Sequence, residues 1–271
     1  MKSAIQVFKE QLKYFQLIRR ISLYEIRSKN SDNYLGVAWE LISPLIQIVI
    51  YWFVFGVGIR QGGGRGPVDD IPYFPWMLSG ILVWFFFQPS IVQGSKSIYS
   101  KLRMLSKMRF PMSVIPNIAI FSKLYPHIIL VVLAIVFFQF TGFTINQYYV
   151  QLPYFMLATI VFLFSVNLIT STLTTMIRDI QQLIQATMRM LLYLAPILWD
   201  PSHLNPVLQK IMMLNPLYYL VEGYRASLVG GNWYIVNHWE YTLYFWAFTL
   251  VVFLIGAAMH VKFRRHFIDF L

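Results

Sequence analysis

The 271-residue chain contains no cysteine and few charged residues. Without cysteine it can form neither a disulfide framework nor a thiolate metal site. Charged residues make up 12% of the sequence, about half the share of a soluble domain, whereas 58% of the residues are hydrophobic. The mean hydropathy of +0.57 is too high for a single soluble core. The composition therefore predicts one all-α polytopic membrane domain.

The sequence also lacks the motifs of catalysis and of nucleotide binding. The glycines at 61–67 and 94–97 have neither the spacing nor the strand-to-helix context of a phosphate-binding loop. The five histidines show no paired ligand spacing, and no G-x-S-x-G nucleophile elbow occurs. We therefore expect no metal and no cofactor on this chain, and no nucleotide-hydrolysing site of its own. The first 35 residues are charged throughout, so we also expect no cleavable signal peptide.

Apolar runs long enough to cross a bilayer occur six times, since a spanning helix needs roughly 20 mostly apolar residues. The predicted spans lie near residues 37–59, 72–92, 114–140, 152–177, 180–199 and 239–261. Most of the 22 Lys and Arg residues avoid these runs and gather at the N-terminus, in the loop at 94–113 and in the C-terminal tail. Because Lys and Arg beside spans stay on the cytoplasmic side, we expect both termini in the cytoplasm.

Residues 1–35 are predicted to contain an amphipathic helix that does not span the membrane. Ile5, Phe8 and Leu12 share one helical face, and Lys2 and Lys9 lie on an adjacent face. This arrangement is typical of a helix lying in the inner interface. The helix is either a topology anchor or a surface that contacts a partner or a substrate.

The basic loop at 94–113 is predicted to be helical, with an apolar stripe flanked by charges. Such a ridge fits a groove in a partner protein, although it could also lie on lipid. The candidate contact residues are Ile98, Lys101, Leu102, Leu105, Lys107, Met108 and Arg109.

Residues 200–231 are fairly apolar but are interrupted by Pro201, Pro206 and Pro216, so each piece is too short to cross. Two short helices that enter from the outside and return would explain this pattern, provided protein or water surrounds them. An ordinary folded external loop is the alternative.

Three charged residues fall well inside the predicted spans, namely Glu40, Lys123 and Arg189, whereas Glu240 lies at a span edge. Each is costly in hydrocarbon and should face the bundle interior, a cavity or the interface. Lys123 could instead extend back to the headgroups, whereas Arg189 is the best candidate for meeting an anionic group in a passage. The aromatic residues that could line such a passage, if they do not face lipid, are Trp84, Phe85, Phe86, Phe87, Tyr193 and Trp199.

Several segments are similar to those of a known family. They are YLGVAW (34–39), YWFVFGVGIR (51–60), the stretch 84–117, STLTTMIRDI (171–180), YLAPILW (193–199) and LNPLYYLVEGYRASL (214–228). In this order they resemble ABC-2 type polysaccharide export permeases, and among these the wall teichoic acid permeases. The similarity extends over nearly the whole chain.

This resemblance implies a multi-pass protein of the bacterial cell membrane that forms a homodimer and binds two copies of a separate ATPase. ATP and Mg would then be bound by the ATPase. The implied cargo is a lipid-pyrophosphate-linked teichoic acid polymer that moves from the cytoplasmic leaflet outward. The N-terminal helix and the loop at 94–113 would contact the ATPase, and residues 200–231 would form re-entrant helices.

An anionic cargo needs a polar route through hydrocarbon. We expect a conduit at the dimer interface, lined by the first and fifth spans, with basic residues at its cytoplasmic rim. The candidate cargo contacts are Arg27, Lys29, Trp84, Phe87, Arg103, Arg189, Tyr193 and Trp199. The alternatives are an O-antigen or capsule permease, a membrane-embedded glycan-modifying enzyme, and a passive channel or scaffold.

Overall fold

The computed structural model describes residues 2–58, 71–102, 110–264 and 266–267. Within these residues every regular element is a helix and no strand occurs, which confirms the all-α prediction. Five of the residues predicted to contact cargo or a partner lie outside the described residues, namely Arg103, Leu105, Lys107, Met108 and Arg109.

Two helices begin the chain, α1 (Lys2–Lys13) and α2 (Phe15–Lys29). Their inner faces bury Val7 and Ile18 against the other helices, while Phe8 and Leu12 stay exposed. The predicted amphipathic helix is therefore a pair of helices, with one face on the bundle and a second apolar face open.

Five described helical stretches are long and apolar enough to cross a membrane. They are Gly36–Gly58, Tyr73–Lys96, Met112–Phe140, Gln147–Met176 and Trp239–Phe263. The α-helices within them are α3 (Trp39–Tyr51), α4 (Tyr73–Lys96), α5 (Ile115–Phe140), α6 (Gln151–Met176) and, at the end of the chain, α11 (Trp239–Phe263). A π-helical turn, Trp52–Gly58, extends α3.

The predicted fifth span at 180–199 is shorter in the structure. Helix α7 (Asp179–Leu194) has 16 residues, which correspond to about 24 Å and fall short of a bilayer core of roughly 30 Å. It ends because Ala195 precedes Pro196 and adopts an extended conformation, as residues before proline do. The described residues thus contain five long apolar helices where the sequence predicted six.

Helix α4 lies at the centre of the bundle, buried on nearly all sides by α5, α6, α7 and the segment that follows α7. Helix α11 packs along α6, and α3 lies at the periphery with most of its surface exposed. We call the end of the bundle that holds α1, α2 and the start of α5 the basal end.

The segment after α7 forms three short helices at the opposite end: α8 (Pro206–Met213), α9 (Pro216–Arg225) and α10 (Tyr234–Asn237). Asn205 and Asn215 each cap the following helix through a side-chain oxygen that accepts a backbone N–H at 3.0 Å, directly before a proline that suits the first helical turn. Helix α9 is largely buried, and its Tyr224 hydroxyl lies 3.0 Å from His127 Nε2 near the middle of α5. One short helix therefore reaches deep between the long ones.

Candidate functional site

A polar cavity of about 310 Å³ lies between α3, α4 and α5, next to the end of α2. Amide, hydroxyl and charged groups line it together with aromatic rings. Its lining is formed by Lys29, Asn30, Trp39, Glu40, Ser43, Pro44, Gln47, Trp84, Phe85, Gln88, Pro89, Lys123, Pro126, His127 and Leu130. A cavity of this volume can hold a small ligand.

Two ammonium groups share one carboxylate at this cavity. Lys123 Nζ lies 2.7 Å from one oxygen of Glu40, and Lys29 Nζ lies 3.1 Å from the other. Lys123 and Glu40 are largely buried, whereas 58% of the Lys29 side chain is exposed. Lys123 therefore pairs with Glu40 across the bundle, and the cavity lining carries one more cation than anion.

The polar wall comes from one face of α3. Glu40, Ser43 and Gln47 follow each other at helical spacing on an otherwise apolar span, so they project to the same side. On the opposite wall, buried His127 stacks on Phe86 with ring centroids 4.8 Å apart. Its Nδ1 has no hydrogen-bond partner among the described residues.

An apolar cavity of about 190 Å³ adjoins the polar one and shares Glu40 and Pro126 with it. It lies between α2, α3 and α5. Its other lining residues are Leu23, Ile26, Arg27, Val37, Leu41, Tyr125 and Ile129. A polar and an apolar compartment thus meet at one carboxylate.

The N-terminal helices are fastened to the basal end by a polar clamp at Glu10. Its carboxylate accepts hydrogen bonds from Ser113 and, at 2.9 Å, from Arg264 at the end of α11. Gln11 donates to the Ser113 carbonyl at 3.0 Å. Burial raises the pKa of Glu10, but the hydrogen bonds from Ser113 and Arg264 and the charge of Arg264 outweigh it, so the pKa lies below its ordinary value.

A second polar contact, which we also call a clamp, joins α2 to the other side of the loop at 94–113. Lys101 forms an ion pair with Glu25 of α2, and burial lowers the pKa of Lys101. Ser113 and Lys101 stand on either side of residues 103–109, so both ends of this loop are held by α1 and α2.

A buried arginine fixes α9 in the bundle. Arg225 donates to Glu222 at 2.6 Å, to the Ile197 carbonyl at 3.0 Å and to the Trp76 carbonyl at 3.3 Å. Its guanidinium lies 3.5 Å from the centroid of the Trp76 ring. A Cβ at Gly80 would come within 2.8 Å of the guanidinium, so a larger residue there would have to displace Arg225 from these contacts.

The described candidates for cargo contact lie in four places: the polar cavity, the apolar cavity, α7 with the residues after it, and the interior. Lys29 and Trp84 line the polar cavity and Arg27 lines the apolar one. Arg189 and Tyr193 are exposed on α7, and Trp199 donates to the Tyr193 carbonyl at 2.8 Å.

Phe87 lies in the interior, 3% exposed and stacked on Phe162 with centroids 6.0 Å apart. Its cargo contact, like those of the other candidates, stays a prediction.

The described part of the loop at 94–113 packs against the helix bundle. Ile98 and Leu102, predicted to form a ridge for a partner, are buried against Ile115 and Phe267. These two side chains thus hold the loop to the bundle, and Lys101 is engaged by Glu25.

Sequence reasoning missed Arg225, His127 and the polar face of α3. The spacing of Glu40, Ser43 and Gln47 on one helical face was a readable signal. The pairing of Glu40 with Lys123 was not, because it joins residues 83 apart in sequence.

Comparison with known proteins gives a consistent result. A family model described as ABC-2 type transporter matches residues 16–229. An O-antigen export system permease protein RfbA of Myxococcus xanthus is 24% identical over 225 residues, which cover 82% of this chain and 84% of that protein. A protein of the same name from Klebsiella pneumoniae is 23% identical over 259 residues, which cover 95% of both chains.

Proposed function

Because the chain belongs to the ABC-2 type transporter family, we propose that it is the membrane subunit of an exporter that carries a lipid-linked polysaccharide across a bacterial membrane. The observation that carries this proposal is the nearly full-length similarity to two relatives named O-antigen export permeases. The five long apolar helices agree with a multi-pass subunit. The family implies a separate ATPase that supplies the energy, and the sequence contains no phosphate-binding loop of its own.

The proposed cargo is a polysaccharide of the O-antigen kind. The wall teichoic acid cargo expected from the sequence segments has no support among these relatives, whose names favour O-antigen. An aromatic and amide lining suits sugar rings, because aromatic faces stack on C–H patches and amides pair with hydroxyls.

The proposed topology has six crossings with both termini in the cytoplasm. Helix α7 together with residues 195–200 makes the fifth crossing, and α9 is a re-entrant helix that enters from the outside. The contact of Tyr224 with His127 supports the depth of α9, and the basic residues of α1 and α2 support the orientation.

The proposed conduit forms between two copies of the chain along α3 and α7. Both helices leave large apolar side chains exposed within the single chain, such as Val49 on α3 and Leu183 on α7. Both also carry exposed polar groups, including Gln47 and Arg189. A mixed surface of this kind can close a passage against lipid while offering polar groups to the cargo.

The contacts of Glu10 with Ser113 and Arg264, and of Lys101 with Glu25, are the two basal clamps. They suggest how an ATPase could move the helices of the conduit. A force on the loop at 103–109 would pass through Lys101 and Ser113 to α2 and α1. Lys29, at the end of α2, binds Glu40 on α3, so movement of α2 reaches the proposed conduit helix directly. In this proposal two ATPase copies bind ATP and Mg, and one copy acts on each loop.

Copurification tests the proposed function. The chain should copurify with an ATP-binding subunit, and the complex should hydrolyse ATP faster when lipid-linked polysaccharide is added. Glycan modification by the isolated chain would instead support a membrane enzyme, and conduction without nucleotide would support a passive channel. Either result would contradict the proposal.

A further inference from the structure

The cavity lining contains hydrogen-bond donors that its own residues do not use. An ammonium group carries three N–H donors, yet the described hydrogen bonds give Lys123 a single acceptor, Glu40. Lys123 is largely buried and lines the cavity, so its ammonium group can donate further hydrogen bonds to a ligand bound there. Buried donors without acceptors are unfavourable, and a ligand with several acceptor oxygens would satisfy them.

The second cation is placed to join the same ligand. Lys29 is bound to the same carboxylate, but its exposed side chain can move from Glu40 to an entering anion at little cost. Phosphate oxygens are strong acceptors for ammonium groups, and lysine binds them as a point charge. The two lysines therefore favour a phosphate group over a neutral sugar alone.

The rest of the lining favours hydroxyl groups beside the phosphate. Gln47 and Gln88 offer amide donors and acceptors, and Trp39 and Trp84 offer aromatic faces. His127 adds a nitrogen without a partner among the described residues. This combination matches a phosphate that carries a sugar.

The adjoining apolar cavity indicates that the ligand also carries a hydrocarbon chain. It meets the polar cavity at Glu40 and is walled by Leu23, Ile26, Leu41 and Ile129. One molecule with a phosphate-sugar head and an apolar tail would fill both compartments.

We propose that each protomer binds the phosphate-sugar head of a lipid-linked saccharide in the polar cavity between α3, α4 and α5, with the start of its hydrocarbon chain in the apolar cavity between α2, α3 and α5. The identity of this amphiphile as the cargo rests on the proposed export function. The lining of the site belongs to one chain and includes the polar face of α3 that the proposed passage between two copies also uses, so the site would load that passage. Displacement of Lys29 from Glu40 by the phosphate would release α2 from α3. Binding of the ligand would then be transmitted through α2 to the basal clamps.

Binding of a defined amphiphile to the full-length chain in phosphatidylcholine nanodiscs tests this proposal. The probe is farnesyl diphosphate, with farnesol as the tail alone and inorganic pyrophosphate as the head alone, measured by titration calorimetry. The native chain should bind farnesyl diphosphate more tightly than either part. Lys29→Gln and Lys123→Gln should each weaken binding about tenfold or more, the loss expected for one charge-assisted hydrogen bond.

Lys9→Gln is the matched control, because Lys9 is an exposed lysine of α1 outside both cavities, and it should bind as the native chain does. Lys29→Gln changes an exposed side chain and should keep the fold even where Lys123→Gln does not. Native affinity in Lys29→Gln overturns the proposal, as does farnesol binding as tightly as farnesyl diphosphate.

Two further measurements complete the test. The first distinguishes a cargo phosphate from the phosphate of a membrane lipid, and the second distinguishes failure of the loading site from failure of the export function. If nanodiscs that also contain phosphatidylglycerol abolish probe binding, the cavity is a site for bulk anionic lipid and the assignment to the cargo is overturned. Unchanged binding supports the assignment. ATP-driven export by the native complex is measured separately: export combined with lysine-independent probe binding refutes only the loading site, whereas lysine-dependent binding without export refutes only the export function.

Discussion

Arg225 shows how one side chain can determine the position of a helix. It is buried, and its guanidinium donates to Glu222 and to backbone carbonyls of two other segments while it covers the Trp76 ring. Those carbonyls belong to α4 and to the stretch after α7, so Arg225 joins three elements at one point. Lysine could not reproduce this set, because it lacks the planar fork of donors.

Replacing Arg225 with methionine should destabilise the protein strongly. Arg225→Met removes the donor to the Ile197 carbonyl and to the partly exposed Glu222 carboxylate, and each hydrogen-bonding group left without its partner costs about 1–3 kcal/mol. Unfolding in detergent should show this loss. Arg20→Met, at an exposed arginine of α2, should change stability little. Equal stability of the two variants would contradict the role assigned to Arg225.

The N-terminal helices are attached by polar contacts in addition to apolar ones. Glu10 joins α1 to Arg264 at the end of α11 and to Ser113 before α5. The sequence predicted a helix here from the spacing of its apolar residues, but it could not predict the clamp, since Glu10 and Arg264 lie 254 residues apart.

The clamp should make the attachment of α1 depend on pH. The pKa of Glu10 lies below its ordinary value, so its contribution to stability is present at neutral pH and is lost as the pH falls below about 4. Arg264→Gln should lower stability by about 0.5–1 kcal/mol at neutral pH, since the pair is partly exposed. The difference from the native chain should shrink in acid. Thermal unfolding at both pH values, with Arg19→Gln as an exposed control, checks this; a difference that grows in acid would contradict it.

The two asparagine caps allow a matched comparison of α8 and α9. Asn215→Ala should lower the global stability by about 1 kcal/mol, because α9 is buried and depends on its cap. Asn205→Ala removes an equivalent hydrogen bond from α8, which buries no residue, so it should fray that helix with a smaller global effect. Denaturant unfolding measures both. An equal effect would show that α9 does not contribute more than α8 to the stability of the bundle.

At the scale of the molecule, the long apolar runs were predictable because a span is a local property of about 20 residues. Helix α7 ends before Pro196, inside the predicted fifth span, because the residue before a proline is extended; an apolar run alone does not show where a helix within it ends. The cavity could be predicted only in part. Glu40 and Lys123 were identified as residues that need a polar environment, but their pairing depends on how α3 packs beside α5.

The same limit applies to the predicted contacts of the loop at 94–113. An apolar stripe at helical spacing does not show whether it faces a partner or its own bundle, and Ile98 and Leu102 face the bundle. That an ATPase acts at the basal end stays part of the proposal, and the basic residues of α1 and α2 support it.

The most direct test of the account is export by the reconstituted complex. Proteoliposomes would contain the chain, its ATPase subunit and a lipid-linked O-antigen saccharide, and a membrane-impermeant lectin would detect saccharide that has crossed. The account predicts that crossing requires the chain, the ATPase and hydrolysable ATP together, and that Arg189→Ala slows it. Crossing driven by the chain without ATPase or ATP, or no crossing when all three are present, would contradict it.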